Sequence, residues 1–493
     1  MSSIISFPIE LRPALPTIVG NVDYLQFRLR LEQIDQLLLS SGLEKQFIES
    51  ALQAWLGRSR ERPPTARQQQ IFQERARRGL RCNILRTLLQ EDFRGFTCQL
   101  AGNPLYQWFC SIAALDQVRV PSKSQLQRFT QLLDKSDEIR LLNNTLLQAA
   151  IKLPGSLELE RPLDLDEYFL DTTCLKANIH FPVDWVLLRD ATRTLMKAVK
   201  LIRAKGLKGR MEAPEEFMKR MNRLCIEMTH TRHKTDGKKK RKKVLRQMKK
   251  LVKVVAEHAR RHRQKLDQQW DKTDWTRPQA EQVLARIDQV LELLPKAEKQ
   301  AHERIIGERQ VNNAEKVLSL YEKDVHVLVR GKAGADVEFG NKVLLGENAQ
   351  GIILDYQVWK EQGQADMHLL VDSLDRLLDG LDRKVAGVAA DRGFASKKNS
   401  EGLQDAGIFN AVCPKKPQDL KERMKDKQFV RMQKRRSQTE ARISIMQRGF
   451  FGRPMRAKGY ANRELTVGWG VLTHNLWKLA CLKRKPEKLA KAA

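Results

Sequence analysis

The chain has 493 residues, enough for two to four domains with sizeable cores. Its 90 Lys and Arg against 59 Asp and Glu leave a formal net charge of +31, an excess that points to a polyanionic partner rather than to solubility alone. No apolar run approaches the roughly 18 residues needed to cross a bilayer, and Met1 to Pro8 lacks the basic and apolar regions of a secretory leader, so no membrane partner is expected.

Residues 24–56 read as two helices. Leu25, Leu29, Ile34, Leu37 and Leu38 form the first apolar stripe, Ser40-Ser41-Gly42 ends it, and Phe47, Ile48, Ala51, Leu52 and Trp55 form the second. Helical spacing resumes from residue 66 and lasts to about 150, with Ser122 a good N-cap for a helix over 123–133. An all-α domain over 1–155 is expected.

Near residue 160 the texture changes. Tyr168 to Ile179 is β-branched and aromatic, as a strand requires, and Pro182 and Asp184 restart a helix. Residues 186–315 then read as a basic helical insertion. Val244, Met248, Leu251, Val255 and Ala259 make one stripe; Val283, Ile287, Val290 and Leu294 make another, stopped by Pro295. Lys238, Lys239, Lys240, Arg241, Lys242 and Lys243 lie between helices, and with basic helices around them they are expected to grip a nucleic-acid backbone.

Strands are expected again at 325–330, 337–345, 352–358, 385–390 and 408–412, with helices at 366–378 and 396–406. The pattern is that of an α/β layer, 156–185 and 316–480, split by the insertion. The Lys- and Arg-dense stretch 415–436 reads as a mobile loop, and 481–493 as a frayed basic tail.

The seven cysteines are scattered and form no CxxC pair, so neither a disulfide framework nor a zinc knuckle is indicated, and a reducing compartment is expected. No GxxxxGK[ST], GxSxG or HExxH run occurs, which argues against nucleotide hydrolysis, serine hydrolysis and zinc proteolysis.

Three acidic residues carry the remaining chemistry. Asp171 sits inside the first strand, where an uncompensated carboxylate is costly unless it is paired or metal-bound. Asp391 ends the small apolar strand before Arg392-Gly393, where α/β sheets place ligands. Glu440 lies on a basic helix. A strand-centre Asp, a strand-end Asp and a helix Glu can converge on a pair of divalent cations. Each has a plainer reading: an Arg partner for Asp171, a turn for Asp391, an i,i+4 pair with Arg436 for Glu440. Asp166 competes with Asp171, and Glu338 is the first replacement should Glu440 stand apart.

These patches resemble the DDE transposases of bacterial insertion sequences, which have an RNase H-like catalytic domain. Asp171-Thr172-Thr173-Cys174 through Asp184 resembles that group's first-aspartate strand and Pro-x-Asp, and Val388 through Ser396 its second-aspartate strand. Arg436-Ser437-Gln438-Thr439-Glu440 resembles its Arg-x₃-Glu helix, with Val337 to Val343 and His474-Asn475-Leu476 in support. Two positions depart: Gln433 stands where the group has Tyr, and Gln447, followed by Arg448, where it has Lys.

The resemblance implies an RNase H-like mixed sheet flanked by helices, interrupted by the insertion, behind the N-terminal all-α domain. It implies Asp171, Asp391 and Glu440 as catalytic ligands of two Mg²⁺ or Mn²⁺ ions, with Arg436 and Arg448 on DNA phosphate. The expected activity is binding of terminal inverted repeats, cleavage at the 3′ ends and joining to target DNA. The partners would be double-stranded transposon-end and target DNA and at least one further copy of the chain, in a bacterial cytoplasm at the nucleoid. Two other readings stay open: a non-catalytic element-derived repressor, and a stand-alone nuclease of the same fold.

Overall fold

Side-chain caps open most of the N-terminal helices. In the computed structural model, which describes residues 12–57, 63–133, 136–231, 236–332 and 335–483, the Asn21 side chain accepts from the Tyr24 amide to start α1 (Val22–Ser40). Gly42, at φ 76°, turns the chain into α2 (Leu43–Leu56), so the two helices part where Ser40-Ser41-Gly42 predicts. A reciprocal capping box between Thr65 and Gln68 starts α3 (Ala66–Leu89). Asp92 caps α4 (Phe93–Gly102) and Asn103 caps α5 (Pro104–Phe109). Ser122 does cap α6 (Lys123–Phe129), again reciprocally with Gln125, but the helix ends four residues short of the expected Leu133. The next helix is α7 (Ser136–Lys152).

The chain folds as two compact units. One comprises Met1–Thr173, Lys342–Trp359 and Gly363–Ala493; the other, Cys174–Asn341 with Lys360–Gln362.

After β1 (Glu167–Lys176), the second unit is built from α8 (Asp184–Ala204), α9 (Pro214–His230), α10 (Gly237–Gln269) and α11 (Arg277–Ala301). Both expected stripes face its core, where Val244, Met248 and Val255 meet Ile287, Val290, Leu294 and Leu195. Pro295 does not stop α11, which continues to Ala301. Proline lacks the N–H for one helical bond, but buried Leu294 and Ala297 on either side hold the turn against the core. The basic hexamer is likewise no loop: it forms the first turns of α10. In the same unit β2 (His326–Lys332) pairs antiparallel with the first half of β3 (Ala335–Asn348).

In the first unit the second half of β3 pairs antiparallel with β4 (Ile353–Val358). Then come α12 (Leu370–Leu381), β5 (Gly387–Ala389), α13 (Lys397–Asp405) and β6 (Phe409–Asn410). The sheet order is β4-β3-β1-β5-β6, with β1–β5 and β5–β6 parallel. Gly346 lets β3 lie against the Tyr168 ring, which would overlap any Cβ there; the Tyr168 hydroxyl is 2.7 Å from Ser373 Oγ on α12.

The stretch 415–436 is not a loop. It holds α14 (Pro417–Arg423) and the start of α15 (Lys427–Met446), which Asp426 caps. Buried Phe429 and Met432 give that segment an apolar face, so it packs as a helix despite its Lys and Arg. The last helix, α16 (Tyr460–Leu482), is tied in by Asn475, whose amide donates to Asn143 Oδ1 and Ile353 O, each at 2.8 Å. Cys481 and Leu482, read as tail, end α16, and Lys483 is buried and donates to Gln36 Oε1 at 2.7 Å; residues 484–493 of the expected tail lie outside the described residues. Leu146, Tyr168, Leu170, Leu354, Val388 and Leu472 share one core, so N-terminal helices and sheet form one body within this unit. The arrangement is a mixed sheet flanked by helices with a helical N-terminal region, consistent with an RNase H-like domain.

Candidate active site

Strand alternation decides where the two aspartates face. Along β1, Tyr168 and Leu170 enter the main core, while Phe169 packs with Ala389, Phe429 and Met432 on the other face. Period two carries Asp171 to the same side as Phe169, beneath α15. The β1–β5 register pairs Tyr168 with Val388 and Phe169 with Ala389. Asp171 and Asp391 are each two residues past that last pair, at the carboxyl ends of the paired segments.

Helix α15 supplies the third acid. Phe429 and Met432 seat it on the strands, and the stripe continues through Gln433 and Arg436 to Glu440. Burial, Asp391 and, to a smaller extent, Glu440 push the Asp171 carboxyl up to about 6, against the opposing pull of the Thr172 amide and Arg436. Among the described residues Asp171 forms no ion pair, so the plain Arg-partner reading does not hold, although Arg436 is close enough to act on it. The other two plain readings both hold in part. Asp391 Oδ1 accepts from the Gly393 amide at 2.8 Å, capping the turn that follows, and Glu440 Oε1 lies 3.7 Å from Arg436 Nη1. Glu440 is well exposed, at 62% for its side chain.

Several contributors were not visible in the sequence. Glu347, 1% exposed, accepts from Thr439 Oγ1 and Arg442 Nε at 2.9 Å each and from Arg435 Nη1 at 3.2 Å. Arg435, Thr439 and Arg442 lie on one side of α15, so this buried carboxylate fixes the rotation that presents Arg436 and Glu440 to the strands. The two departures have partners as well. Gln433 Nε2 donates to Ala390 O at 3.1 Å and Ala411 O at 2.5 Å, and Gln447 Nε2 to Thr173 Oγ1 at 2.8 Å. Asp366 accepts from the Thr172 hydroxyl at 3.0 Å. The only sequence signal among these was the mismatch at Gln433 and Gln447.

The other sequence candidates are elsewhere. Asp166 precedes β1, five residues before Asp171, and its carbonyl accepts from the Ala386 and Gly387 amides. Glu338 forms an ion pair with Lys176 at 2.8 Å. Arg448 is exposed in the π turn Gln447–Phe451 after α15. On α10, Lys238 and Lys242 both reach Glu308, at 3.5 and 2.8 Å, and Lys240 lies 4.0 Å from Asp236, while Lys239 and Lys243 are exposed.

Residues 329–476 match the family model described as a transposase DDE domain. This match supports a DDE transposase. The match takes in Asp391 and Glu440, while Asp171 precedes it. No curated protein and no solved structure gives a significant match. A transposase of this family acts on DNA, and the family generally uses divalent metal ions. No helix among the described residues is long and apolar enough to cross a membrane.

The candidate donor set can be tested against such ions. Asp171, Asp391 and Glu440 offer only carboxylate oxygens, the ligands hard divalent cations take. Their mutual repulsion at Asp171 is what a cation would relieve. Among the described residues, no three His, Cys, Asp or Glu side chains are gathered tightly enough to enclose an ion. The residues therefore fit the group in chemistry, and closing on it would draw the carboxylates together.

Proposed function

We propose that the chain is the transposase of a bacterial insertion sequence, which binds the element's terminal inverted repeats, cleaves DNA at their 3′ ends and joins those ends to target DNA by two-metal phosphoryl transfer. The observation that supports this best is the alignment of Asp171, inside β1, with Asp391, just past β5, each two residues beyond the last pair of these parallel strands, with the charge of Glu440 felt at Asp171. When bound, Mg²⁺ or Mn²⁺ ions supply activation of a water or 3′-hydroxyl and stabilisation of the leaving 3′-oxygen. Asp171 and Asp391 hold the site rigidly from the strands, and Glu440 closes it from the helix. Arg436, held near Gln433 Oε1 at 3.3 Å, faces the scissile phosphate, and exposed Arg448 takes a neighbouring one. Lys238 to Lys243 follow the DNA backbone without reading sequence. Pairing two transposon ends requires at least two copies of the chain.

The test is a strand-transfer assay, in Mg²⁺, with the short inverted repeats flanking the gene as donor. Joined products support the reading. Cleavage without joining would make the protein a nuclease, and specific binding with no cleavage would make it a repressor.

A further inference from the structure

Asp366 stands in the short 3₁₀ turn Asp366–His368 that precedes α12. Its Oδ1 accepts from Thr172 Oγ1 at 3.0 Å and pairs with Lys342 Nζ at 2.5 Å. Lys342 is largely buried, 12% exposed at its side chain, and also donates to Gln364 O at 2.5 Å. The second oxygen of Asp366 points elsewhere. A Cβ built on Gly393 would lie 3.0 Å from Asp366 Oδ2 and 3.0 Å from Asp391 Oδ1, so the two carboxylates flank the same glycine.

One side chain thus touches the neighbours of both aspartates: Thr172 follows Asp171 on β1, and Gly393 donates its amide to Asp391. A bare carboxylate this close to Asp391 would repel it. Lys342 neutralises Asp366, so the brace adds no net charge to the site. We propose that Asp366, held by Lys342, is a positioning residue that braces the two aspartate-bearing strand ends through the Thr172 hydroxyl and the Gly393 turn, and so sets the spacing of Asp171 and Asp391 before a cation arrives. The inference rests on the metal-site reading above. Partners of this kind, one step removed from the ligands, typically change metal affinity by about 10- to 100-fold when removed.

The experiment is titration of the full-length chain with Mn²⁺ alone, followed calorimetrically without DNA. Asp366→Ala should weaken Mn²⁺ binding about tenfold. Asp366→Asn combined with Lys342→Gln keeps the acceptor oxygen and the shape without leaving the lysine's charge unpaired, and should stay within about threefold of the parent. Thr172→Val removes the hydroxyl with little change of volume, and should weaken binding severalfold; it carries the test should Asp366→Ala fail to fold. Parental affinity in Asp366→Ala or, if that does not fold, in Thr172→Val, overturns the proposal. So does an Asp366→Asn, Lys342→Gln double variant as weak as the alanine, because the Asp366 charge would then be acting as a direct ligand. Asp391→Asn separates the two levels. If it too binds Mn²⁺ like the parent, the metal-site reading fails and takes this one with it; if only Asp391→Asn loses binding, the brace alone is wrong.

Discussion

Asp171 and Asp391 face the same side of the sheet from adjacent parallel strands, each two residues beyond the pair Phe169–Ala389. Of the 219 residues between them along the chain, most belong to the second unit, which follows β1. Asp391→Asn should leave fold and DNA binding intact and reduce cleavage in Mg²⁺ by about a thousandfold or more. Retained cleavage would remove Asp391 from the site.

The raised Asp171 carboxyl gives the site a pH signature. Its native value of about 6 exceeds the unfolded value of about 3.9, so between them the folded metal-free chain binds more protons than the unfolded one. Stability contributed by this group is therefore greatest below about pH 4, falls as pH rises to about 6, and stays at that lower level above. A cation must displace the same proton, so Mn²⁺ affinity should drop steeply as pH falls below 6. Thermal melts and Mn²⁺ titrations at pH 5 and 7.5 check both slopes, and Asp171→Asn should flatten the first. Equal Mn²⁺ affinity at the two pH values would rule out Asp171 as a ligand.

Glu440 separates a metal ligand from a solvated ion pair by substitution. As a ligand, Glu440→Gln should cost cleavage about a hundredfold or more while a melting curve barely moves, since the exposed pair with Arg436 is worth less than about 1 kcal/mol. Full activity in Glu440→Gln would leave the pair as its whole role.

Neutralising Lys238 to Lys243 should weaken binding to all DNA sequences alike and lower the salt slope by about 0.9 for each phosphate no longer neutralised. Lys238 and Lys242 already share Glu308, so the measured change should be smaller than six phosphates would give. A loss confined to one sequence would indicate base readout instead.

Glu347, on β3, is the structural counterpart of Glu440, because it anchors the helix that carries Glu440. Glu347→Ala leaves Arg435 and Arg442 without their buried counter-ion, and should cost about 3 kcal/mol of stability as well as cleavage. Urea unfolding at fixed pH measures it; an unchanged midpoint would show that α15 is seated by Phe429 and Met432 alone.

Much of this was legible in the sequence because it is local. A β-branched and aromatic run marks β1, an apolar run before a turn glycine marks β5, and capping at Ser122 marks the start of α6. The places that misled are those where burial overrules a local rule. Pro295 looks like a stop, but Leu294 and Ala297 are held by their neighbours. The Lys and Arg of 415–436 look like a loop, but Phe429 and Met432 fold the end of that stretch onto the sheet. Asp366 and Glu347 were not found, since their meaning lies in partners distant in sequence: Thr172 and Gly393 for one, Arg435 and Arg442 for the other.

Gln433 and Gln447 sit where the resemblance expects tyrosine and lysine, and each reaches a strand end beside an aspartate. Their carboxamides have no titratable proton and carry no net charge. A change of pH, which alters the charge of ionisable side chains, leaves these two tethers untouched. The register between this helical segment and the strands is thus held in part by contacts that carry no charge.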